Sequence, residues 1–195
     1  MKSGRRALGV AESYRGADGD TSTLAGVVVH ADRVVDDFVF GTCSVGGSDA
    51  TDAVIDLWER LERPDVRYLF VAGVAPAWYN LLDLHRLHEV TQRPVLAVSF
   101  ERSSGLSDAL AAEFVGDELE WRLDVYDSLP PRRRLSLDDG VQLFVRNVGT
   151  DDETADRIVR AFTHERRPEP LRIAKRAARR VDSFRRTRRE SANET

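Results

Sequence analysis

The chain has 195 residues, of which 42% are hydrophobic, and its formal net charge is −4. This length suits one substantial core and is short for two, so we expect a single domain over residues 1–170 and a C-terminal helix with an arginine-rich tail over 171–195. The lone cysteine, Cys43, excludes an intramolecular disulfide and a thiolate zinc site, and the longest aliphatic run, 24–29, is too short to span a membrane. We therefore expect a cytoplasmic protein.

The first part of the chain predicts strands and then a helix. Three segments rich in β-branched or aromatic residues read as strands: 7–11, 23–29 and 34–45. The turn at 30–33 joins the last two as a hairpin. From Val54 to Leu61 the apolar residues recur at i, i+3, i+4 and i+7, which predicts an amphipathic helix that ends before Pro64.

The middle of the chain alternates between strands and helices. Residues 67–74 and 95–100 are nearly all apolar and predict strands covered on both faces. Residues 79–90 and 105–114 follow them as predicted helices. A hairpin followed by this alternation predicts an α/β fold with a mixed sheet flanked by helices. The segment 115–140 breaks the alternation, and we expect irregular structure around its paired prolines.

The last third carries the clearest asymmetry of charge. Residues 141–147 predict a strand, and the capping box at 150–153 predicts a helix start. A final helix should begin at Pro170. Residues 171–189 hold nine basic residues against Asp182, so the rest of the chain is strongly acidic. Because 27 of the 29 basic residues are arginine, we expect a GC-rich and salt-loving source.

Two aspartates at a predicted strand-to-helix junction are candidates for both structure and chemistry. Asp49 and Asp52 follow Gly46 and Gly47, where aspartate caps a helix well and favours its dipole. The glycines would equally let a metal or a backbone approach. Helix capping and metal binding are both open for these residues.

Further along, polar and aromatic residues suggest contacts with a nucleic acid. Asn80 and Asp83 are spaced i, i+3 and would share a helix face, either as a site or as a solvated edge. Trp78 and Tyr79 lie in a predicted loop, where they could stack on bases. Arg132, Arg133 and Arg134, together with the arginine-rich tail, could follow a phosphate backbone or could be solvated ends.

Four segments, in this order and spread over nearly the whole chain, resemble the archaeal endonuclease dU family. They are 8-LGVAES-13, 46-GGSDATDAV-54, 73-GVAPAWYNLLDL-84 with 92-QRPVLAV-98, and 169-EPLRIA-174. The family is related to endonuclease V, and the resemblance implies a ribonuclease H-like fold. It also implies a magnesium- or manganese-dependent nuclease that acts on DNA containing a deaminated base.

The chain departs from the family's pattern at two positions. Family members usually have an aspartate where this sequence has Ala11 and another where it has Ala72. The carboxylates that remain are Asp49 and Asp83, helped by Glu12, and these are the metal ligands and catalytic residues that the resemblance implies. Successive strand residues point to opposite faces, so Glu12 reaches the position of Ala11 only if the strand end twists or bulges.

Two functions from different classes therefore compete. The leading expectation is an endonuclease that repairs deaminated DNA with a divalent metal. The alternative is a catalytically silent relative that binds nucleic acid and has lost the metal cage. DNA is the expected partner in both, and the sequence indicates no obligate protein partner.

Overall fold

The computed structural model describes residues 5–16, 19–103, 105–138 and 140–193. The first residues of the predicted domain, 1–4, and the last of the predicted tail, 194–195, lie outside this part. Within it the chain forms seven strands and seven helices. In chain order these are β1 (Arg6–Glu12), β2 (Thr21–His30), β3 (Val35–Ser44), α1 (Ala50–Leu61), β4 (Val66–Ala72), α2 (Pro76–Tyr79), α3 (Leu84–Thr91), β5 (Val95–Ser99), α4 (Ser107–Glu113), α5 (Asp117–Ser128), β6 (Arg133–Ser136), β7 (Gln142–Val148), α6 (Asp152–Ala161) and α7 (Glu169–Asn193).

One mixed sheet contains all seven strands, in the order β3-β2-β1-β4-β5-β7-β6. The first three strands form an antiparallel meander, and β1, β4 and β5 run parallel. The predicted α/β fold with a mixed sheet is therefore confirmed. Since β3 is antiparallel to β2 and β2 to β1, the carboxyl ends of β1, β3, β4 and β5 lie at one edge, which we call the carboxyl edge.

Helices cover both faces of the sheet. On one face, Leu8 and Val10 of β1 pack with Leu57 of α1 and with α3. On the other face, α6 and α7 cover the sheet, and α7 lies along β1 and β2. Gly9 allows this close approach, because a Cβ there would overlap the backbone of Pro170 at the start of α7.

Pro130 and Pro131 lie outside any helix or strand, as the sequence predicted, but the segment around them also forms two elements that were not predicted, α5 before the prolines and β6 after them. Two other local predictions are wrong. The predicted helix at 79–90 begins only at Leu84, so Asn80 and Asp83 do not share a helix face. The helix after β7 is capped by Asp151 in place of Thr150.

The final helix also differs in extent from the expectation. It continues as a helix through the predicted arginine-rich tail as far as Asn193. Among the helices described, none combines the length and the hydropathy that a membrane span requires.

Candidate functional site

Asp49 lies at the carboxyl edge between β3 and α1, but its side chain does not cap the helix. Its carboxylate accepts hydrogen bonds from Ser44 N at 3.0 Å, Ser44 Oγ at 2.9 Å and Asn80 Nδ2 at 2.6 Å. Burial raises the pKa of this carboxyl, but the hydrogen bonds from Asn80 and Ser44 outweigh it and hold the pKa below its ordinary value. The capping role that the sequence suggested for Asp49 is therefore wrong.

Asn80 supplies the cap that Asp49 does not. Its Oδ1 accepts from Ala50 N at 2.9 Å, and its Nδ2 donates to Ser44 O at 2.8 Å as well as to Asp49. The side chain is fully buried, and both ends of the amide are occupied. Asn80 thus ties the loop after β4 to the start of α1, which leaves it poorly placed to contact a nucleotide.

The other two aspartates serve their own helices. Asp83 is the N-cap of α3 and accepts from Arg86 N at 3.0 Å. Asp52 lies in the first turn of α1 and forms an exposed ion pair with Arg86. The sequence predicted capping for Asp52 and a solvated edge for Asp83, whereas the structure has Asp83 as the cap and Asp52 in the surface ion pair.

Glu12, at the end of β1, is held by three donors. Its Oε1 lies 2.7 Å from Lys175 Nζ on α7, and its Oε2 accepts from Ser22 Oγ at 2.9 Å and from Tyr14 N. The strand end therefore lets the Glu12 carboxylate reach α7, even though Val10, two residues earlier, packs on the opposite face. Glu12 and Asp49 both lie near Cys43: burial, together with these two negative charges, raises the pKa of the Cys43 thiol to about 12.

The positions where the family pattern has aspartates carry methyl groups. Val10 pairs with Val71, and the next residues, Ala11 and Ala72, both pack in an apolar cluster with Ala174 of α7. Among the residues described, no three side chains of His, Cys, Asp or Glu form a group that could hold a metal ion. Glu12, Asp49 and Asp83 are each engaged by separate donors. This donor set does not fit a magnesium or manganese ion, which takes several oxygen ligands.

An open cleft of about 700 Å³ runs along the carboxyl edge, between the ends of β1, β4 and β5 and the first half of α7. We call it the α7 cleft. Its charged lining residues are Glu12, Glu101, Glu165, Arg166, Arg167, Arg172, Lys175, Arg176 and Arg179. Six cations against three carboxylates make its lining basic within a chain that is acidic overall.

The cations of the α7 cleft differ in how they are held. Arg172 is paired with the buried Glu169 at 2.5 Å, which raises the pKa of this arginine, and Arg167 stacks on Phe100. Arg176 and Arg179, by contrast, form no ion pair with any residue described. They are exposed and one turn apart on α7, so both can reach a ligand in the cleft.

A smaller pocket of about 290 Å³ adjoins the α7 cleft and shares Ala72, Gly73, Ser99 and Glu101 with it. Arg132 lines this pocket, where it stacks on Phe144 and donates to Ser99 Oγ at 3.0 Å. Its neighbours on β6 lie elsewhere. Arg133 is engaged by Asp152 and Asp156 of α6, and Arg134 is exposed on the edge strand.

Trp78 and Tyr79 lie in a turn with an unusual backbone. Ala77, Trp78 and Tyr79 have φ values of 46°, 58° and 61°, a left-handed conformation that L-residues adopt at a cost. Arg122 holds this turn from below, because it donates to Gly46 O at 2.6 Å and to Tyr79 O at 3.3 Å. The ring of Trp78 contacts Phe114 and is 40% exposed.

Sequence reasoning missed two residues that organise this edge. Arg122 is almost fully buried, and burial lowers the pKa of its guanidinium; its position in an acidic helix gave no signal. Lys175 did leave a signal, because it is one of only two lysines in a chain with 27 arginines. A lysine is unusual in a chain so rich in arginine, and its compact ammonium group is not interchangeable with a guanidinium group.

The chain is similar in sequence to a known protein family over most of its length. Residues 3–182 match the family described as endonuclease dU. The chain belongs to this family. Relatives include a UPF0215 protein of Pyrobaculum aerophilum, 31% identical over 86% of this chain and 89% of its own. Another, from Methanopyrus kandleri, is 29% identical over 87% of both chains.

Solved structures show the fold of this endonuclease dU family member. A protein of unknown function from Archaeoglobus fulgidus superposes with a TM-score of 0.79 at 22% identity, over 91% of this chain and 98% of its own. Human endonuclease V superposes with a TM-score of 0.60 at 18% identity, over 94% and 85%. Endonuclease V of Ciona intestinalis, solved with DNA containing an inosine, gives 0.59 at 14%, over 92% and 86%. The chain thus has the endonuclease V fold.

Proposed function

We propose that this protein binds DNA through the α7 cleft and does not cleave it. The observation that carries the proposal is the combination of a basic cleft at the carboxyl edge with methyl groups at positions 11 and 72. A cleft of this kind can bind the phosphates of a nucleic acid, whereas Ala11 and Ala72 leave Glu12, which is paired with Lys175, as the one carboxylate at the end of β1.

The first support is electrostatic. Arg176 and Arg179 lie one turn apart and are free to make direct contacts with phosphate oxygens. Arginine binds phosphate in a bidentate manner, which keeps such contacts effective when salt screens longer-range attraction. The exposed arginines further along α7 extend the same basic helix beyond the cleft, so a backbone could follow it.

The second support is the neighbouring pocket, which suits a nucleobase. It is of about the size of a small ligand site, and it opens beside the cleft that would hold the phosphates. The aromatic rings of Tyr126 and Phe144 and the carboxylate of Glu101 line it. They offer stacking surfaces and one hydrogen-bond acceptor to an unstacked base.

A metal-dependent nuclease acting on deaminated bases is the competing proposal. It is favoured by the family's description and by the endonuclease V structure that contains inosine. It would require Glu12 to leave Lys175 and Asp49 to leave Ser44 and Asn80 before either could bind a metal ion. Under this competing proposal, the protein would be a cytoplasmic DNA-repair enzyme.

Charge reversal in the cleft tests the first proposal. The double substitution Arg176→Glu/Arg179→Glu should weaken binding of a fluorescent duplex and reduce the salt dependence of that binding. Arg33→Glu/Arg67→Glu is the control, because both arginines are exposed at the opposite edge of the sheet, in the turn between β2 and β3 and at the amino end of β4. If both doubly reversed proteins lose affinity equally, binding reflects net charge and the cleft is not the site.

A further inference from the structure

Lys175 lines the α7 cleft beside Ala11 and Ala72, the two strand positions where the family resemblance implies carboxylates. It lies at the end of β1, where its Nζ is 2.7 Å from Glu12 Oε1, and its helix packs on Ala11 and Ala72 through Ala174. The carboxyl edge therefore carries one fixed positive charge next to the sheet, supplied by the chain itself. This charge needs no metal to be present.

The contacts of Glu12 fix the position of this ammonium. Ser22 and the backbone of Tyr14 hold the second carboxylate oxygen, so the first is aimed at α7. The Glu12 side chain is only 15% exposed, and that of Lys175 is 28% exposed. A lysine with three donors that spends one on Glu12 can still offer others to a ligand in the open cleft.

The neighbouring cations lie on the same helix. Arg172, three residues before Lys175, and Arg176 and Arg179, one and four residues after it, all line the cleft with it. Arg172 is committed to the buried Glu169, which leaves Arg176 and Arg179 to flank the ammonium. A planar guanidinium group can bind two phosphate oxygens at once, while a compact ammonium group can enter the narrower space beside the sheet.

We infer that Lys175, with Arg176 and Arg179, forms a phosphate-binding site that works without a divalent metal. The inference rests on the proposed function, because the phosphate would belong to a DNA backbone. It goes beyond that function in naming the cation next to the sheet and in stating that chelation leaves binding intact. Glu12 positions Lys175 and, as a carboxylate, repels the same phosphate.

Opposite effects of two substitutions follow from this arrangement. Lys175→Met removes the ammonium, keeps most of the side-chain volume and leaves the Glu12 carboxylate facing the phosphate. Loss of one such charge-assisted contact should weaken DNA binding about tenfold or more. Glu12→Gln removes the repulsion and keeps one amide oxygen that can accept from Lys175, so the affinity should stay equal to wild type or become tighter.

The experiment is a fluorescence anisotropy titration of a labelled duplex at constant ionic strength, with EDTA or with magnesium chloride. We expect wild type to bind equally well in both, Lys175→Met to bind weakly in both, and Glu12→Gln to bind at least as well as wild type. Lys175→Met alone leaves the Glu12 carboxylate without its ion-pair partner and could fail to fold. The double variant Glu12→Gln/Lys175→Met removes both charges of this pair and therefore serves as the second test. It should bind more weakly than Glu12→Gln.

The outcomes separate the inference from the proposed function. If no variant binds DNA and wild type does not bind it either, the proposed function fails and the inference fails with it. If wild type binds DNA only with magnesium, or if Lys175→Met and the double variant bind as wild type and Glu12→Gln do, the proposed function stands and the inference is wrong. Loss of magnesium-dependent binding in Glu12→Gln would identify Glu12 as a metal ligand and would also overturn it.

Discussion

Lys175 Nζ lies 2.7 Å from Glu12 Oε1, a contact that joins two residues 163 positions apart in the chain. It ties the end of β1 to α7 at the carboxyl edge of the sheet, next to Ala11 and Ala72. Glu12, the acidic residue directly after Ala11, is thus paired with Lys175, and a metal ion would have to compete with this lysine for the Glu12 carboxylate. The same contact aims a positive charge into the α7 cleft.

Asp49 should stabilise the fold in a pH-dependent way. Asp49→Asn removes the charge that accepts from Ser44 and Asn80, and we expect it to lower the free energy of unfolding by about 1–3 kcal/mol at neutral pH. Because the pKa of Asp49 in the folded protein is below its ordinary value of about 4, its stabilising effect is complete above that value. The effect is lost as the pH falls below it. Urea unfolding at neutral pH and at low pH measures this difference.

Asp52→Asn is the matched control for Asp49. Asp52 lies three residues further along and makes only an exposed ion pair with Arg86, which is worth less than about 1 kcal/mol. Its substitution should leave stability almost unchanged. Equal losses in the two variants would contradict the hydrogen-bond network described around Asp49.

Arg122 should be essential for the structure of the carboxyl edge. Arg122→Met would leave the carbonyl groups of Gly46, Tyr79 and Glu118 without this donor, and each buried carbonyl that stays unsatisfied costs about 1–3 kcal/mol. Arg122→Lys should recover only part of this, since one ammonium cannot reach all three carbonyls. Unfolding followed by tryptophan fluorescence reports the loss, because Trp121 and Trp78 lie beside Arg122 and its loops. If the Arg122→Met protein were as stable as wild type, the left-handed turn at residues 77–79 would not depend on the hydrogen bonds from Arg122.

The two alanines at the carboxyl edge should determine whether the site can hold a metal. Ala11→Asp/Ala72→Asp places two carboxylates on adjacent strands under α7, where their repulsion and burial should lower the melting temperature without metal. Manganese should restore part of this loss by binding between them. Wild type should melt at the same temperature with and without manganese. A manganese-induced stabilisation of wild type would show that its own carboxylates already form a site.

The strands of the sheet and the first helix could be predicted, because they depend on local sequence patterns. The β-branched runs predict the meander of β1, β2 and β3, and the helical period from Val54 to Leu61 predicts α1. The helix α5 could not be predicted in this way, since its buried residue is Arg122, a charged side chain that disrupts any apolar pattern. Its burial depends on carbonyl groups of two distant loops.

The roles of the polar residues at the site depend on contacts that the sequence does not display. Asp49 has the position of an N-cap, but Asn80, 30 residues away from Ala50, supplies the cap and releases Asp49 to bind Ser44. Spacing suggested that Asn80 and Asp83 act together, whereas one is buried under the loop and the other begins α3. The resemblance to the endonuclease dU family predicts that Ala11 and Ala72 stand where carboxylates are expected, and the structure places both in one apolar cluster under α7.

The most direct test of the central claim is incubation of wild type with duplexes that contain uracil or hypoxanthine, at saturating protein and with magnesium or manganese. The same mixture is resolved on a native gel for binding and on a denaturing gel for strand cleavage. We expect the duplex to be bound and to remain intact with either ion. Metal-dependent nicking by wild type that disappears in Asp49→Ala would contradict it and would establish the competing nuclease.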